Sequence, residues 1–148
     1  MKKFKFNLET VLKYRTMVEE NEKNELTRLN AEMLALTYEL EQLRSTYRSE
    51  NSDFEQMTRN GITVQAILGR QIIIKNIEYA IESKLQEIKE QQKLITRQTA
   101  VVVRAMQERK MIEKLREKSL KRYNKAVAKE EELFINEFVS YQTYAGTE

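Results

Sequence analysis

The sequence predicts an all-α protein, an antiparallel two-helix coiled coil (helical hairpin) whose second helix is longer than the first. Large apolar residues recur with spacings that alternate between three and four, which is the seam of a coiled coil. The chain has 148 residues with no Pro and 3 Gly, and 33% of its residues are charged, as in long helices. One turn signal, Asn60-Gly61, separates two helical patterns. The prediction is a single coiled-coil domain over residues 1–148.

The first helix is predicted over about residues 7–58. Asn7 is a suitable N-cap, and Glu9 in the first turn interacts favourably with the helix dipole. The large apolar residues of this helix form a narrow stripe, which needs a partner helix because one helix cannot bury it alone. This first seam consists of Leu26, Leu29, Met33, Leu36, Leu40, Leu43, Tyr47, Phe54 and Met57, with Glu50 as its one polar member.

The turn is predicted over about residues 59–63. Asn60-Gly61 is expected to end the first helix in the left-handed region, and Thr63 to be the N-cap of the second helix. That helix is predicted over about residues 64–143, followed by a frayed tail at 144–148. Its seam, here called the second seam, consists of Ile67, Ile74, Ile77, Ile81, Ile88, Ile95 and Val102.

The register of the hairpin follows from the position of the turn, which places residue i roughly opposite residue 121 minus i. Upstream of Leu26 the seam continues back to Leu12 and Leu8. The middle of this stretch is polar, at Glu22, Glu19 and Arg15, so pairing there is expected to be loose. The first helix spans about 75 Å and the second about 120 Å. The second helix should therefore overhang from about Lys114 onward. An unpaired amphipathic helix is marginal by itself, so this part is expected to dock on another protein or to oligomerise.

The chemistry of common active sites is missing. The chain has no His and no Cys, and it contains neither a G-x-x-x-x-G-K-[ST] nor a G-x-G-x-x-G motif. Its carboxylates have no cleft that would tune their pKa values for acid–base catalysis. We therefore predict no enzymatic activity, no cofactor, no metal site and no small-molecule ligand. The absence of Cys suits the cytosol, and the start lacks the apolar region of a secretory signal.

A basic stretch, Arg104 to Lys125, holds nine Lys or Arg against three Glu. It can be a solvated helix face, a docking surface for an acidic protein rim, or a DNA-binding basic region. The last fits least, because a bZIP basic helix precedes a parallel zipper, whereas this seam forms an antiparallel hairpin. We predict no nucleic-acid partner.

The region around the turn, Thr58 to Ala80, is more apolar than one seam requires. Ile72, Ile73 and Ile74 are consecutive, so at least one of them must point away from the partner helix. The surplus is either local packing or an exposed docking patch.

Three segments along the chain together carry a resemblance to a known family. The first is Lys3-Phe4-Lys5-Phe6-Asn7-Leu8-Glu9-Thr10-Val11-Leu12-Lys13-Tyr14-Arg15. The second is Asn60-Gly61-Ile62-Thr63-Val64, followed by an Ile-rich stretch and Ile77-Glu78-Tyr79-Ala80-Ile81-Glu82. The third combines Glu113-Lys114-Leu115-Arg116-Glu117-Lys118 with Glu130-Glu131-Glu132 and Asn136-Glu137-Phe138. In this order and over the whole chain, they resemble the bacterial flagellar export protein FliJ family.

The resemblance implies a non-enzymatic stalk and adaptor of the flagellar type III protein export apparatus, similar to the central γ stalk of rotary ATPases. Its implied partners are the export ATPase ring, the cytoplasmic domain of the membrane export gate, and export chaperones for late substrates. Its implied location is the cytoplasm, peripheral to the cell membrane at the flagellar base through protein partners.

Two sets of residues carry these implied contacts. The tip set, carried over by position for the export gate, is Tyr47, Ile73, Ile77, Ala80 and Lys84. The terminal set, assigned to the ATPase ring, is Phe4, Phe6, Lys114, Lys118, Lys121, Phe134 and Phe138. The rival interpretation is a structural coiled-coil protein or a prefoldin-like holdase chaperone. A holdase hairpin with matched arms would lack the asymmetric overhang.

Overall fold

The computed structural model describes residues 2–147, which form two α-helices and, within that range, no strand. Helix α1 covers Glu9–Asn60 and helix α2 covers Val64–Ala145, with lengths of 52 and 82 residues. The predicted fold class is confirmed: the chain is a helical hairpin whose second helix is longer. Helix α1 begins at Glu9 rather than near Asn7, and α2 continues past residue 143 to Ala145.

The start of α1 differs from the expected cap. The backbone N–H of Glu9 donates to the C=O of Phe6 at 3.2 Å, which forms a turn before the helix. The first helical bond runs from the N–H of Leu12 to the C=O of Leu8 at 2.9 Å. Leu8 therefore occupies the N-cap position, and Asn7 is a residue of the preceding turn and not the N-cap.

The connection between the helices agrees with the predicted cap chemistry. Gly61 follows the last residue of α1 with a φ of 89°, in the left-handed region. The hydroxyl of Thr63 accepts the backbone N–H of Ala66 at 3.2 Å, as an N-cap side chain does. The prediction of Gly61 as the left-handed residue and of Thr63 as the N-cap is confirmed.

Two glycine substitutions should have opposite effects on stability. Gly61→Ala should destabilise the hairpin by about 1 kcal/mol, because a Cβ is strained at this φ. Gly69→Ala should stabilise it by about 1 kcal/mol, since Gly69 lies inside α2 and nothing lies within 4 Å of an added Cβ. Urea unfolding followed by circular dichroism measures both. Equal shifts of the same sign would contradict the role of Gly61.

The described chain divides into two compact units. The turn unit is Asn21–Val102, and the terminal unit is Met1–Glu20 with Val103–Glu148. The predicted single-domain organisation stays a prediction, and the two units are described in turn.

The turn unit contains the apolar seam. Leu29, Leu40 and Val102 are buried, and most other seam residues are half-buried. The polar seam member Glu50 forms an ion pair with Arg70 across the helices at 2.7 Å. Because two helices can cover only one stripe, no large side chain among residues 2–147 is completely enclosed.

Polar side chains of α2 fix the register in the turn unit. The buried Gln91 donates to the C=O of Leu29 at 2.9 Å, and Gln98 donates to the C=O of Glu22 at 3.0 Å. Both contacts lie within a residue of the predicted register, which pairs residue i with 121 minus i. The polar stretch expected to pair loosely is thus hydrogen-bonded to α2 at Glu22.

Three ion pairs cross between the helices in the terminal unit. Arg15 pairs with Glu108 at 2.6 Å, and Arg116 pairs with Glu9 at 3.2 Å. Arg109 forms a third pair with Glu19. Among the described residues of this unit Ala105 is the buried apolar residue, and several others are half-buried, namely Leu12, Val18, Ile112 and Leu120.

The overhang predicted from Lys114 starts later than expected. Arg116 is paired with Glu9, and the hydroxyl of Tyr123 donates to the C=O of Lys2 at 2.8 Å. Residues 2–6 lie outside the helix, and an extended chain advances about twice as far per residue as an α-helix does. They therefore reach further along α2 than a helical turn would. The fully exposed overhang is residues 128–147.

Candidate docking surfaces

The tip set lies in the turn unit, where its members differ in accessibility. Ile73 is 43% exposed, whereas Ile77 and Ala80 are half-buried on the side of α2 that faces α1. Ile72 is also exposed, and Ile74 is half-buried. The prediction that at least one of the three consecutive isoleucines points away from α1 is confirmed.

The polar members of the tip set are already engaged inside the turn unit. Lys84 forms ion pairs with Glu39 across the helices at 2.5 Å and with Glu87 at 2.7 Å. Hydrogen bonds to Glu39 and then Glu87 raise the pKa of Lys84. The hydroxyl of Tyr47 donates to the carboxylate of Glu78 at 3.1 Å. A partner that used Lys84 or Tyr47 would have to share or break these contacts.

The heptad position of Lys84 explains its ion pair with Glu39, because Lys84 lies seven residues after Ile77. Continued in steps of seven, the series passes through Lys84, Gln91, Gln98 and Ala105, which are seam positions of α2. At three of them a long polar side chain crosses to α1 and binds a carboxylate or a backbone carbonyl. Sequence reasoning missed Gln91 and Gln98, although heptad counting from Ile77 would have found both.

A second apolar surface in the turn unit lies on the other side of α2. It is formed by exposed residues at spacings of four, namely Val64, Leu68 and Ile72. The apolar surplus around the turn is thus exposed rather than locally packed, and most of it lies outside the tip set.

The N-terminal members of the terminal set pack against α2 in the terminal unit. The ring of Phe4 lies 5.5 Å from that of Tyr123, and the guanidinium of Arg116 lies 5.8 Å from the centre of the Phe4 ring. Phe6 is half-buried. Phe4 thus packs against α2 just before the start of α1.

The lysines of the terminal set form an exposed row along α2. Lys114, Lys118 and Lys121 are exposed, and within residues 2–147 none of them forms an ion pair. Spacings of three and four place them on one side of the helix. The row is free to meet an acidic surface.

The overhang carries the remaining members of the terminal set. Phe134 is 70% exposed and Phe138 is 55% exposed. Helical spacing places both on one stripe with Val127 and Tyr141. Glu130, Glu131 and Glu137 flank this stripe, and they form no ion pair within the described residues. The stripe is an apolar surface with acidic edges.

Other kinds of site find no support in the described part of the chain. A groove of the turn unit is lined by Ala35, Leu36, Tyr79 and Leu94, with glutamates at its edges. Residues 2–147 contain no cluster of side chains suited to a metal ion. No described helix combines the length and apolar character needed to cross a bilayer. The candidate sites that the described residues offer are the exposed apolar surfaces and the lysine row.

Comparison with known proteins identifies the family. The profile described as "Flagellar FliJ protein" matches residues 4–148. Searches of curated proteins and of solved structures found no match. Because the match covers nearly the whole chain and agrees with the resemblance in its sequence, the chain belongs to the FliJ family, a non-catalytic component of flagellar protein export.

Proposed function

We propose that this protein is a stalk and adaptor of the flagellar export apparatus whose terminal unit binds the export ATPase ring. The observation that carries the proposal is the exposed apolar stripe of the overhang. A helix with large aromatic residues in water needs a partner to bury them. The family membership supplies the export apparatus as the setting, and the asymmetric overhang argues against a holdase with matched arms.

The terminal set suits such a partner in three ways. Phe134 and Phe138 offer apolar area, the lysine row offers positive charge, and the half-buried Phe4 and Phe6 support the adjoining part of α2. Apolar burial contributes about 25 cal/mol per Å², and the charges mainly increase the rate and specificity of association.

A central stalk binds the assembled ring and not its free subunits, so it shifts the assembly equilibrium by mass action. Adding the full chain to the purified export ATPase should raise the oligomeric fraction in sedimentation velocity and the ATPase activity. If the sedimentation profile of the ATPase is unchanged at a saturating concentration of this protein, the proposal is contradicted.

The tip set is proposed as the contact with the cytoplasmic domain of the export gate. Ile73 is its most accessible apolar member, and it lies next to Ile77 and Ala80 on α2. Because Lys84 and Tyr47 are engaged within the turn unit, we assign them a supporting role that holds this face in place.

Ile73→Asp should weaken binding to the gate domain about tenfold and reduce motility. The change places a carboxylate where apolar area would be buried, which costs at least the lost apolar contribution. Calorimetric titration of the gate domain with the variant measures the affinity, and circular dichroism verifies its helix content. Binding to the ATPase ring should be unchanged.

Ile72→Asp is the matched control, because Ile72 is exposed but points to a different side of α2. It should bind the gate domain like the parent. If Ile72→Asp loses binding and Ile73→Asp keeps it, the gate contacts the surface of Val64, Leu68 and Ile72, and the tip set is wrong.

The adaptor role also includes export chaperones for late substrates, a part that rests on family membership alone. The proposed location is the cytoplasm at the flagellar base, where contacts with the ATPase and the gate hold the protein at the membrane. No nucleic acid is needed for this function.

A further inference from the structure

We propose that residues 2–20, here called the N-terminal arm, form a releasable cover on α2, which separates from α2 while the pairing inside the turn unit stays intact. The inference does not depend on the identity of any partner.

The first observation is the nature of the contacts that hold the arm. Three ion pairs join it to α2, formed by Glu9 with Arg116, Arg15 with Glu108, and Glu19 with Arg109. The hydrogen bonds that Arg109 donates to Glu19 and then to Glu113 raise its pKa, so this guanidinium stays charged. Ion pairs can exchange their partners for water, whereas buried apolar residues cannot do so without loss.

The second observation is how little apolar surface the arm buries. Phe4, Phe6, Leu12 and Val18 are half-buried, Tyr14 and Met17 are exposed, and no apolar residue of the arm is fully buried. By contrast, Leu29 and Leu40 of α1 are buried in the turn unit. Segments with few buried apolar contacts open at lower free energy than those with many, so the arm should open first.

The third observation is a buried charged residue at the C-terminal end of the arm. Glu19 is only 3% exposed and lies against Arg109. Replacing such a buried pair by apolar residues is often neutral or stabilising, whereas removing one member leaves a buried charge. The Glu19–Arg109 pair therefore specifies where the arm binds on α2 but contributes little net free energy to that binding.

Release of the arm would uncover more of α2. Phe4 covers Tyr123, and Glu9 engages Arg116. Tyr123 lies on the same stripe as Val127, Phe134 and Phe138. An open arm would thus lengthen the apolar stripe available to an incoming helix, and a closed arm would limit it to the overhang.

Hydrogen–deuterium exchange of the full chain, resolved by mass spectrometry, tests the proposal. Amides of residues 12–20 should exchange at least about tenfold faster than those of residues 29–43, because local opening exposes only the former. The double variant Glu19→Leu with Arg109→Leu should slow exchange in residues 12–20 about tenfold by replacing the ion pair with apolar contact. Exchange in residues 29–43 should not change.

Two single variants complete the test. Glu19→Gln should speed exchange in residues 12–20 and leave residues 29–43 unchanged. Glu50→Gln removes the matched ion pair to Arg70 in the turn unit and should leave residues 12–20 unchanged. The proposal is overturned if both segments of the parent exchange at one rate, since the hairpin then opens as a whole. It is also overturned if neither Glu19 variant alters residues 12–20. Glu19→Gln decides the matter if the leucine pair fails to fold.

Discussion

Leu40→Asp is expected to lower the melting temperature by about 10 °C or more. Leu40 is 7% exposed in the seam of the turn unit. The change removes a buried aliphatic side chain and introduces a carboxylate without a built-in partner, which together should cost about 4 kcal/mol. In a chain of this size 1 kcal/mol shifts the melting temperature by about 2–4 °C. Thermal unfolding followed by circular dichroism measures the shift.

Tyr38→Asp is the control for this experiment. Tyr38 lies in the same helix but is 67% exposed, so the substitution should leave the melting temperature nearly unchanged. Equal shifts for both variants would show that the effect comes from helix propensity or charge. An unchanged melting temperature for Leu40→Asp would show that Leu40 does not lie in the intramolecular seam.

Deleting Glu130–Glu148 is expected to abolish most of the stimulation of the export ATPase while leaving the melting temperature unchanged. Residues 130–147 are all exposed, so their loss removes no intramolecular packing. It does remove Phe134 and Phe138, each of which would contribute about 1.5–3 kcal/mol if a partner buried it. The concentration of chain that gives half-maximal ring assembly should therefore rise at least about tenfold.

Point variants separate the stripe from the mere length of the helix. Phe134→Asp with Phe138→Asp should reproduce the effect of the deletion. Leu133→Asp with Val139→Asp should not, because these residues are similarly exposed but lie off the stripe. Full stimulation of the ATPase by the truncated chain would contradict the assignment of the overhang to the ring. Equal losses of stimulation in both double variants would show that the ring does not recognise the stripe.

The fold could be predicted from the sequence because its determinants are local or periodic. The first seam requires a partner helix, and the chain has one break, at Gly61, where the second pattern can turn back to supply it. The register in the turn unit follows from the position of that break, as the contact of Leu29 with Gln91 shows. Heptad spacing and cap chemistry are properties of neighbouring residues, so no tertiary information is needed.

The accessibility of the candidate site residues follows less directly from the sequence, because it depends on what each side chain meets across the helices. Lys84 looks like a surface lysine in the sequence, but its seam position brings it to Glu39. Four residues of the tip set, Ile73, Ile77, Ala80 and Lys84, share a face of α2, yet only Ile73 among its isoleucines is exposed, while Val64 and Leu68 on another side are more so. Phe134 and Phe138 are exposed as expected, because they lie in the overhang, beyond the part of α2 that residues 2–6 reach.

The sequence by itself determined two helices, their order, the turn and the excess length of α2, because helix periodicity and a single left-handed glycine leave few alternatives. Only the tertiary structure decided where the overhang begins and which polar residues are engaged. Residues 2–6 run outside the helix and bring the C=O of Lys2 to the hydroxyl of Tyr123, further along α2 than the helical register predicts for residue 2. Arg15 and Glu19 occupy polar seam positions and form ion pairs with residues of α2, because their long charged side chains reach across the space between the helices.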